Sequence, residues 1–287
     1  MDAVWLIDKP SGPTSFDVVK RVRQALKEKK AGHTGTLDPM ATGVLPVCVG
    51  EATKLAGFMT EGDKAYDATI RLGTETDTQD AEGKVVATGS VPEVSRELLE
   101  KVLAPFRGTF AQKPPMYSAV KVGGKRLYEH ARAGEEVERA ARSVTVYALE
   151  LKDFSSTELR VSVHCSKGFF VRTLAHDLGR AMGCGAHLAA LRRTACGPFT
   201  LARAVSLEAL ESGRDLSGKA VSLEDALADV PAVQVAEADA RRVLHGVAIE
   251  VAAQGRVRVM GPTGRLLAVA EAERGRLRYL RVLGASA

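Results

Sequence analysis

A change of hydrophobic period within one short segment limits the folds open to this chain. Apolar and polar residues alternate over residues 159–165, whereas over residues 171–182 the apolar residues recur at helical spacing. Alternation is typical of a half-buried strand, and the second pattern is typical of an amphipathic helix. The segment therefore predicts a strand, a turn containing Gly168, and a helix whose first turn carries Arg172.

The same two patterns occur earlier in the chain. Residues 66–72 alternate with Tyr66 on the apolar side, which predicts a half-buried strand with Tyr66 pointing inward. Thr14 and Asp17 have the spacing of a capping box, so a helix is expected to begin at Thr14 or Ser15. Residues 44–49 read as a buried strand and residues 51–59 as a short helix.

The length of 287 residues favours two domains. Beyond Pro231, short alternating runs separated by glycine-containing turns are typical of a compact β-rich module. We place the boundary near Val230, which gives domains of residues 1–230 and 231–287. Within the first domain, the Gly-, Pro-, Lys- and Arg-rich stretch around 110–142 is weakly periodic and predicts a long RNA-facing insertion outside the core.

Charge and composition indicate the kind of partner. Lys and Arg number 40 against 35 Asp and Glu, and the formal charge of +5 suits a polyanion such as RNA. No apolar stretch reaches the roughly 18 residues that span a bilayer, so we expect a cytoplasmic protein without a membrane segment. The four cysteines show no C-x-x-C pair and are interpreted as reduced, mostly buried thiols.

The loop of residues 32–43 presents a single acidic residue. Gly32 and Gly35 precede Asp38, and Pro39 biases Asp38 toward extended backbone. Such a loop can hold one carboxylate outward for chemistry. An Asp that merely caps a turn is the commoner role in loops of this composition, so the residue types alone leave both interpretations open.

A resemblance to a known family favours the chemical role. Residues 32–45 resemble the active-site signature of the TruB family of tRNA pseudouridine-55 synthases, and the similarity extends over nearly the whole chain. Further matching segments are residues 8–15 (D-K-P-S-G-P-T-S), 64–66 (K-A-Y), 72–80 (L-G-T-E-T-D-T-Q-D), 114–121 (P-P-M-Y-S-A-V-K) and 165–174 (C-S-K-G-F-F-V-R-T-L). The resemblance implies an α+β fold, in which a catalytic domain with a mixed, mainly antiparallel sheet flanked by helices precedes a small β-rich domain resembling PUA domains.

The resemblance also implies residue roles. Asp38 corresponds to the catalytic nucleophile, Tyr66 to the residue that packs on the target base, and Arg172 to the partner of the carboxylate. The remaining expected substrate contacts are His33, Phe170 and Leu191. The family often has Tyr where this chain has Phe170, so a ring contact is expected there but no phenol hydrogen bond.

These residue types suit the isomerisation of uridine. The reaction cuts the glycosidic bond between C1′ and N1, turns the uracil and rejoins it through C5, for which an ionised carboxylate is needed. A two-bond fork from Arg172 would keep Asp38 ionised, whereas Lys could not copy that geometry. Tyr66, Phe170 and Leu191 would enclose the base after it leaves its stack, although ordinary core packing would also explain them.

The reaction rearranges bonds within one nucleotide, so we expect no cofactor and no metal. The chain has no phosphate-binding glycine motif, and its six His do not cluster at metal-ligand spacing. The expected partner is tRNA, which would be bound through its T-arm and contacted at the acceptor stem by the C-terminal domain. Candidate phosphate contacts there are Arg274, Arg276, Arg278 and Arg281. We expect a monomer without protein partners.

Two alternatives share the same residues. A guide-RNA-dependent pseudouridine synthase acting on ribosomal RNA would also use Asp38, Tyr66 and Arg172. An RNA-folding chaperone with a secondary or lost isomerase activity is the second alternative, and the intact Asp38 and Arg172 weigh against a lost activity. Attack at C1′, attack at C6 and a glycal route all fit the sequence, and Tyr66 is one candidate for the general base at C5.

Overall fold

The computed structural model describes residues 1–214 and 216–284, and within them the chain forms two main sheets, two hairpins and eight α-helices. In chain order the strands are β1 (Ala3–Lys9), β2 (Ala31–His33), β3 (Thr42–Val49), β4 (Lys64–Leu72), β5 (Thr74–Thr76), β6 (Val85–Thr88), β7 (Gly108–Gln112), β8 (Lys121–Val122), β9 (Lys125–Arg126), β10 (Arg142–Phe154), β11 (Glu158–Cys165), β12 (Ala186–Cys196), β13 (Phe199–Thr200), β14 (Val205–Ser206), β15 (Ala232–Gln234), β16 (Gly255–Met260), β17 (Leu266–Glu273) and β18 (Arg276–Val282). The helices are α1 (Ser15–Ala25), α2 (Ala56–Met59), α3 (Arg96–Leu103), α4 (Leu127–Arg132), α5 (Val171–Ala181), α6 (Leu207–Ser212), α7 (Leu223–Ala226) and α8 (Glu237–Leu244).

The larger sheet is mixed and mainly antiparallel. Its order is β14-β1-β3-β12-β4-β11-β10-β7, with β2 beside β3 and β13 beside β12. Only the β1–β14 and β3–β12 pairs are parallel among the described pairs of this sheet. The fold class predicted from the sequence is therefore confirmed.

Strands β1 and β3 of this sheet are buried on both faces. On β1, Trp5 and Ile7 pack with α1 and α6, whereas Val4 and Leu6 face an apolar cluster that includes residues of the smaller sheet. Strands β4, β11 and β10 are half-buried, with inward residues packed against α3 and α5. The period-2 pattern of residues 66–72 is borne out, because Ala68, Ile70 and Leu72 are buried.

Helix α1 begins as its capping residues predict. The Thr14 hydroxyl accepts a hydrogen bond from the Asp17 amide at 3.1 Å, and the Asp17 carboxylate accepts one from the Thr14 amide at 3.2 Å. Residues 51–59 differ from the expected single helix, since Gly50–Leu55 is a 3₁₀ turn followed by the one-turn helix α2. The Thr53 hydroxyl donates to the Gly50 carbonyl at 2.7 Å, a three-residue spacing that suits the tighter turn.

The smaller sheet has the order β15-β16-β17-β18 and contains the alternating runs expected beyond Pro231. Met260, Leu266 and Val269 share an apolar cluster with Val4 and Leu6 of the larger sheet. The Leu266 amide also donates to the Glu224 carboxylate at 2.8 Å. The two sheets are therefore joined through a common core.

The segment around 110–142 contributes more to the core than its composition suggested. Strand β7, which ends at Gln112, is the edge strand of the larger sheet beside β10. The excursion from the sheet begins after Gln112 and returns at Arg142, and within it Leu127 is fully buried.

The sequence also predicted reduced cysteines and no membrane-spanning segment. All four cysteines are buried free thiols, as predicted: Cys48, Cys165, Cys184 and Cys196. No helix in the described part of the chain is long and apolar enough to cross a membrane.

Gly43 offers a test of the β3–β12 junction. Its φ is +106°, and a Cβ would lie 2.2 Å from the Arg193 carbonyl oxygen. Gly43→Ala should therefore destabilise the protein by about 2 kcal/mol or more, measured by urea unfolding. The control is Gly32→Ala, whose Cβ meets no atom within 4 Å; equal unfolding free energies for the two variants would contradict the assignment.

Candidate active site

The Asp38 loop lies between β2 and β3, and its backbone is fixed at several points. The Ala41 amide donates to the Asp38 carbonyl at 3.1 Å, and the Gly12 amide donates to the Pro39 carbonyl at 2.9 Å. Ser15, in the first turn of α1, accepts from the Leu37 amide and donates to the Leu37 carbonyl. These bonds hold the Asp38 side chain at the protein surface, where it is 35% exposed.

Lys9 supports the same loop from below. Its side chain is fully buried and donates to the carbonyls of Pro10, Pro39 and Ala41 at 2.9, 3.0 and 2.7 Å. Burial lowers the pKa of the Lys9 ammonium to about 8, against the opposing effect of the Asp38 carboxylate. An ammonium group thus lies within electrostatic range of Asp38.

Arg193 fixes the two ends of the loop. This side chain, 1% exposed, donates from Nε to the Val44 carbonyl at 2.9 Å and from Nη2 to the Gly35 carbonyl at 3.1 Å. Its backbone pairs with Gly43 across the parallel β3–β12 junction. Because one side chain binds both the start and the end of the loop, Arg193 ties the loop to the sheet.

Arg172 makes the central contact of the site. Its Nε lies 3.1 Å from Oδ2 of Asp38, and the arginine side chain is 7% exposed. Nη2 donates to the Tyr117 carbonyl at 2.7 Å, and Nη1 donates to the Thr78 carbonyl at 3.1 Å and to Asp80 at 3.2 Å. The two-bond fork expected from the sequence is therefore wrong, because both Nη groups are turned to other acceptors.

Asp80 is a member of this cluster that sequence reasoning did not single out. It is 3% exposed, and its carboxylate accepts from the Thr78 hydroxyl at 2.6 Å and from the Glu82 amide at 3.1 Å. These bonds fix Asp80 beside Arg172. A signal was present, since Asp80 ends the matching segment of residues 72–80.

The electrostatics of Asp38 result from opposing effects. Burial raises the pKa of the Asp38 carboxyl, Arg172 lowers it, Asp80 raises it and Lys9 lowers it. Burial is the largest of these effects, so this pKa lies above its ordinary value of 3.8. Arg172 and Lys9 therefore limit the rise in the pKa of Asp38 that desolvation causes.

Tyr66 lies on β4 and is half-buried between two apolar clusters that Leu191 also contacts. Burial raises the pKa of the Tyr66 phenol to about 12, against the effect of the Arg193 guanidinium nearby. The phenol is thus protonated at neutral pH. Tyr66 and Leu191 pack against the same two apolar clusters, and Arg193, which binds the Asp38 loop, lies near Tyr66.

His33 precedes Asp38 in the sequence, and Phe170 precedes Arg172. His33 ends β2 just before the loop, its buried Nδ1 has no hydrogen-bond partner among the described residues, and burial lowers the pKa of its imidazole. Phe170 is the half-buried N-cap residue of α5, two positions before Arg172. The structure shows Asp38 and Arg172 in direct contact, whereas among the described residues no hydrogen bond or ion pair joins Asp38 to His33 or Phe170.

A groove of about 720 Å³ opens beside the loop and is lined in part by Met40, Thr42, Leu191 and Arg192. Within residues 1–214 and 216–284, no group of three or more His, Cys, Asp or Glu side chains is arranged to hold a metal ion.

Family models match this chain over residues 23–284. The model of the TruB family pseudouridylate synthase N-terminal domain matches residues 23–171. The tRNA pseudouridylate synthase B C-terminal domain matches residues 172–230, and the C-terminal model of tRNA pseudouridine synthase II matches residues 230–284.

Curated relatives agree with these matches. A protein of Azoarcus sp. (strain BH72) named tRNA pseudouridine synthase B is 50% identical over 289 residues, which cover 99% of this chain and 95% of that protein. A protein of the same name from Aromatoleum aromaticum is 48% identical over 95% of this chain and 89% of its own length.

The fold is also similar to that of a solved assembly. The matching chain in the crystal structure of a Cbf5-Nop10-Gar1 complex superposes with a TM-score of 0.76 at 27% identity, covering 98% of this chain and 84% of that one. The family models and the full-length relatives agree on one assignment: this chain belongs to the TruB family of pseudouridylate synthases.

Proposed function

We propose that this protein isomerises one uridine in the T-loop of tRNA, at position 55, to pseudouridine. The observation that carries the proposal is the contact of 3.1 Å between buried Arg172 and Asp38 in a chain of this family. Relatives named tRNA pseudouridine synthase B, about 50% identical over nearly the whole chain, support tRNA as the substrate. Because tRNA is the substrate, we also propose a cytoplasmic location.

Asp38 is the proposed catalytic carboxylate. In its ionised form it adds to the flipped uridine, and the C1′–N1 bond breaks with its electron pair left on the uracil. The uracil turns, C5 bonds to C1′, the bond to Asp38 breaks to return the free carboxylate, and the C5 proton leaves to solvent while N1 takes up a proton. Arg172 and Lys9 favour the ionised form against the cost of burial. Arg172 also fixes the orientation of the carboxylate, since its own Nη groups are bound to Asp80 and to backbone carbonyls.

The walls of the site are proposed to hold the base. Tyr66 packs on the uracil, while Phe170 and Leu191 enclose it and exclude water during the turn. The neutral His33, whose buried Nδ1 lacks a partner among the described residues, supplies a hydrogen bond to the flipped nucleotide. Tyr66 remains a protonated phenol near neutral pH, so we propose that it packs on the base rather than accepting a proton.

Residues 231–287 are proposed to form a PUA-like RNA-binding domain that contacts the acceptor stem, beside a catalytic domain of residues 1–230. Four exposed arginines on and next to β18 support phosphate contacts: Arg274, Arg276, Arg278 and Arg281. The insertion around 110–142 is proposed to grip the T-arm. Asp38, Arg172 and Asp80 come from one chain, which supports a monomer that acts without a protein partner.

The guide-RNA-dependent alternative is not favoured. The chain is 27% identical to the matching chain of the Cbf5-Nop10-Gar1 complex but about 50% identical to proteins named tRNA pseudouridine synthase B. A chaperone activity would require neither the Asp38 loop nor its buried arginine partner.

Replacing the carboxylate tests the reaction. Asp38→Ala should lower tritium release from a T-arm labelled at C5 of uridine by more than about 10³-fold, because the nucleophile is removed. RNA affinity should survive. The matched control is Asp153→Asn, an exposed carboxylate on β10 that should retain full turnover. Single-turnover isomerisation by Asp38→Ala at the normal rate would refute the proposed role.

The pH dependence tests the electrostatics of the site. Only the ionised carboxylate attacks, so kcat/KM should fall as the pH drops through the pKa of Asp38, which lies above 3.8. Lys9→Met removes a positive charge that lowers the pKa of Asp38. In this variant the acid limb of the kcat/KM profile should therefore move to higher pH. The exposed control Lys152→Met should leave the limb in place; movement of the Lys9→Met limb to lower pH would contradict the argument.

Salt dependence tests the C-terminal domain. Phosphate contacts release counterions, so the double variant Arg276→Gln/Arg278→Gln should reduce the log–log salt slope of tRNA binding by about 0.7 to 0.9 per lost contact. Arg71→Gln, at an exposed arginine paired with Glu158 on the larger sheet, serves as the control. An unchanged slope in the double variant would exclude these two arginines from the interface.

A further inference from the structure

Gln112 connects the edge of the larger sheet with the start of α5. Its side chain is 3% exposed and lies at the end of β7. Oε1 accepts from the Phe170 amide at 2.8 Å, and Nε2 donates to the Phe170 carbonyl at 3.1 Å. The side-chain amide therefore binds both polar groups of one residue, as a neighbouring strand would.

The start of α5 has no side-chain cap among the described residues, so the two bonds from Gln112 hold its N-cap residue instead. Phe170 is the N-cap residue and its own side chain cannot accept a hydrogen bond, so the helix begins without the usual Ser, Thr, Asn or Asp. The Leu174 amide donates to the Phe170 carbonyl at 3.1 Å, which makes that carbonyl part of the first turn. Gln112 thus fixes the peptide from which α5 departs.

The position of this peptide determines the position of Arg172. Arg172 lies two residues after Phe170 in the first turn, and its Nε is 3.1 Å from Asp38. Charged contacts of this kind weaken steeply when the separation grows by a few tenths of an ångström. A small shift at the start of α5 is therefore sufficient to loosen the pair.

The loop before α5 has supports other than Gln112. Phe169 packs edge-on against Phe110 with ring centroids 6.3 Å apart. The Ser166 hydroxyl accepts from the Thr145 amide at 2.9 Å, and the Ser166 amide donates to the Thr145 carbonyl at 2.8 Å. These contacts do not involve Gln112. When its amide is removed, the loop should therefore keep its place in the fold while the Phe170 peptide becomes more mobile.

We propose that Gln112 is a positioning residue for the isomerisation, which places Phe170 against the base and Arg172 against Asp38 by holding the Phe170 peptide. The proposal rests on the function proposed above. Gln112 touches neither the carboxylate nor the substrate, and it acts through the first turn of α5. A side chain with one donor and one acceptor at the same end is required, which Gln satisfies and Leu or Glu does not.

The test compares three variants of the full-length protein on a T-arm labelled at C5 of uridine. Gln112→Leu has a similar size and loses both bonds, and Gln112→Glu keeps the acceptor for the Phe170 amide. Thr109→Val is the control, since Thr109 lies on the same strand and its hydroxyl is 2.9 Å from that of Thr145 but does not reach α5. Each variant is assayed for kcat, KM, RNA affinity and urea unfolding.

We expect kcat to fall about 10- to 100-fold in Gln112→Leu and less in Gln112→Glu, the size expected for small displacements of a catalytic group. KM and RNA affinity should change less than about twofold, because Gln112 is buried at the end of β7 and lies before the excursion that is proposed to grip the T-arm. Thr109→Val should retain the wild-type rate.

Two readouts separate positioning from general loss of structure. Looser contact between Arg172 and Asp38 raises the pKa of that carboxyl, so the acid limb of the pH profile should move to higher pH in Gln112→Leu. Gln112→Leu should slow Arg172→Lys by much less than it slows the wild-type protein, because part of its effect acts through the contact that Arg172→Lys has already altered.

Wild-type kcat in Gln112→Leu would overturn the proposal. So would a loss of rate that is matched by lost RNA affinity or stability, with the acid limb unmoved and the double variant additive. Failure of the proposed function is a separate result, because it would appear as an inactive wild-type protein or as an active Asp38→Ala variant.

Discussion

The site depends on keeping one carboxylate charged in a place that partly removes it from water. Desolvation is the largest influence on the pKa of Asp38 and raises it, whereas the neighbouring cations Arg172 and Lys9 lower it and favour the charged form. Arg172 meets this requirement because it is itself held by Asp80 and by the carbonyls of Thr78 and Tyr117. A cation that is fully bound on its other sides cannot turn away from the carboxylate, which gives the pair a defined geometry.

The architecture brings distant segments to this pair. The loop of Asp38 leaves the sheet where β3 runs parallel to β12, and Arg193 on β12 binds carbonyls at both ends of that loop. Arg172 comes from α5, which follows β11 on the other side of β4. Asp80 comes from the turn of the β5–β6 hairpin. Four separate chain segments therefore contribute to one cluster, and each is anchored by backbone hydrogen bonds.

Local patterns predicted much of the fold. The alternation over residues 66–72 and 159–165 and the capping box at Thr14 became strands and a helix, because side-chain periodicity and helix caps are properties of short segments of the chain. The expected two-bond fork from Arg172 was wrong because Asp80 and Tyr117 compete for the same guanidinium, and those residues lie 92 and 55 positions away in the chain. Asp80 itself was not singled out for the same reason, although it ends the matching segment of residues 72–80, because its contact with Arg172 joins residues 92 positions apart.

The sequence by itself determined the secondary structure of strands such as β4 and β11, the position of the Asp38 loop and the family, because periodicity, caps and residues 32–45 are local properties of the chain. Only the tertiary structure decided which groups surround Asp38, how the Arg172 nitrogens are divided among their acceptors, and that the Gln112 amide holds the peptide of Phe170. These contacts join residues far apart in sequence, and their geometry arises from the packing of sheet and helix, which no local pattern contains.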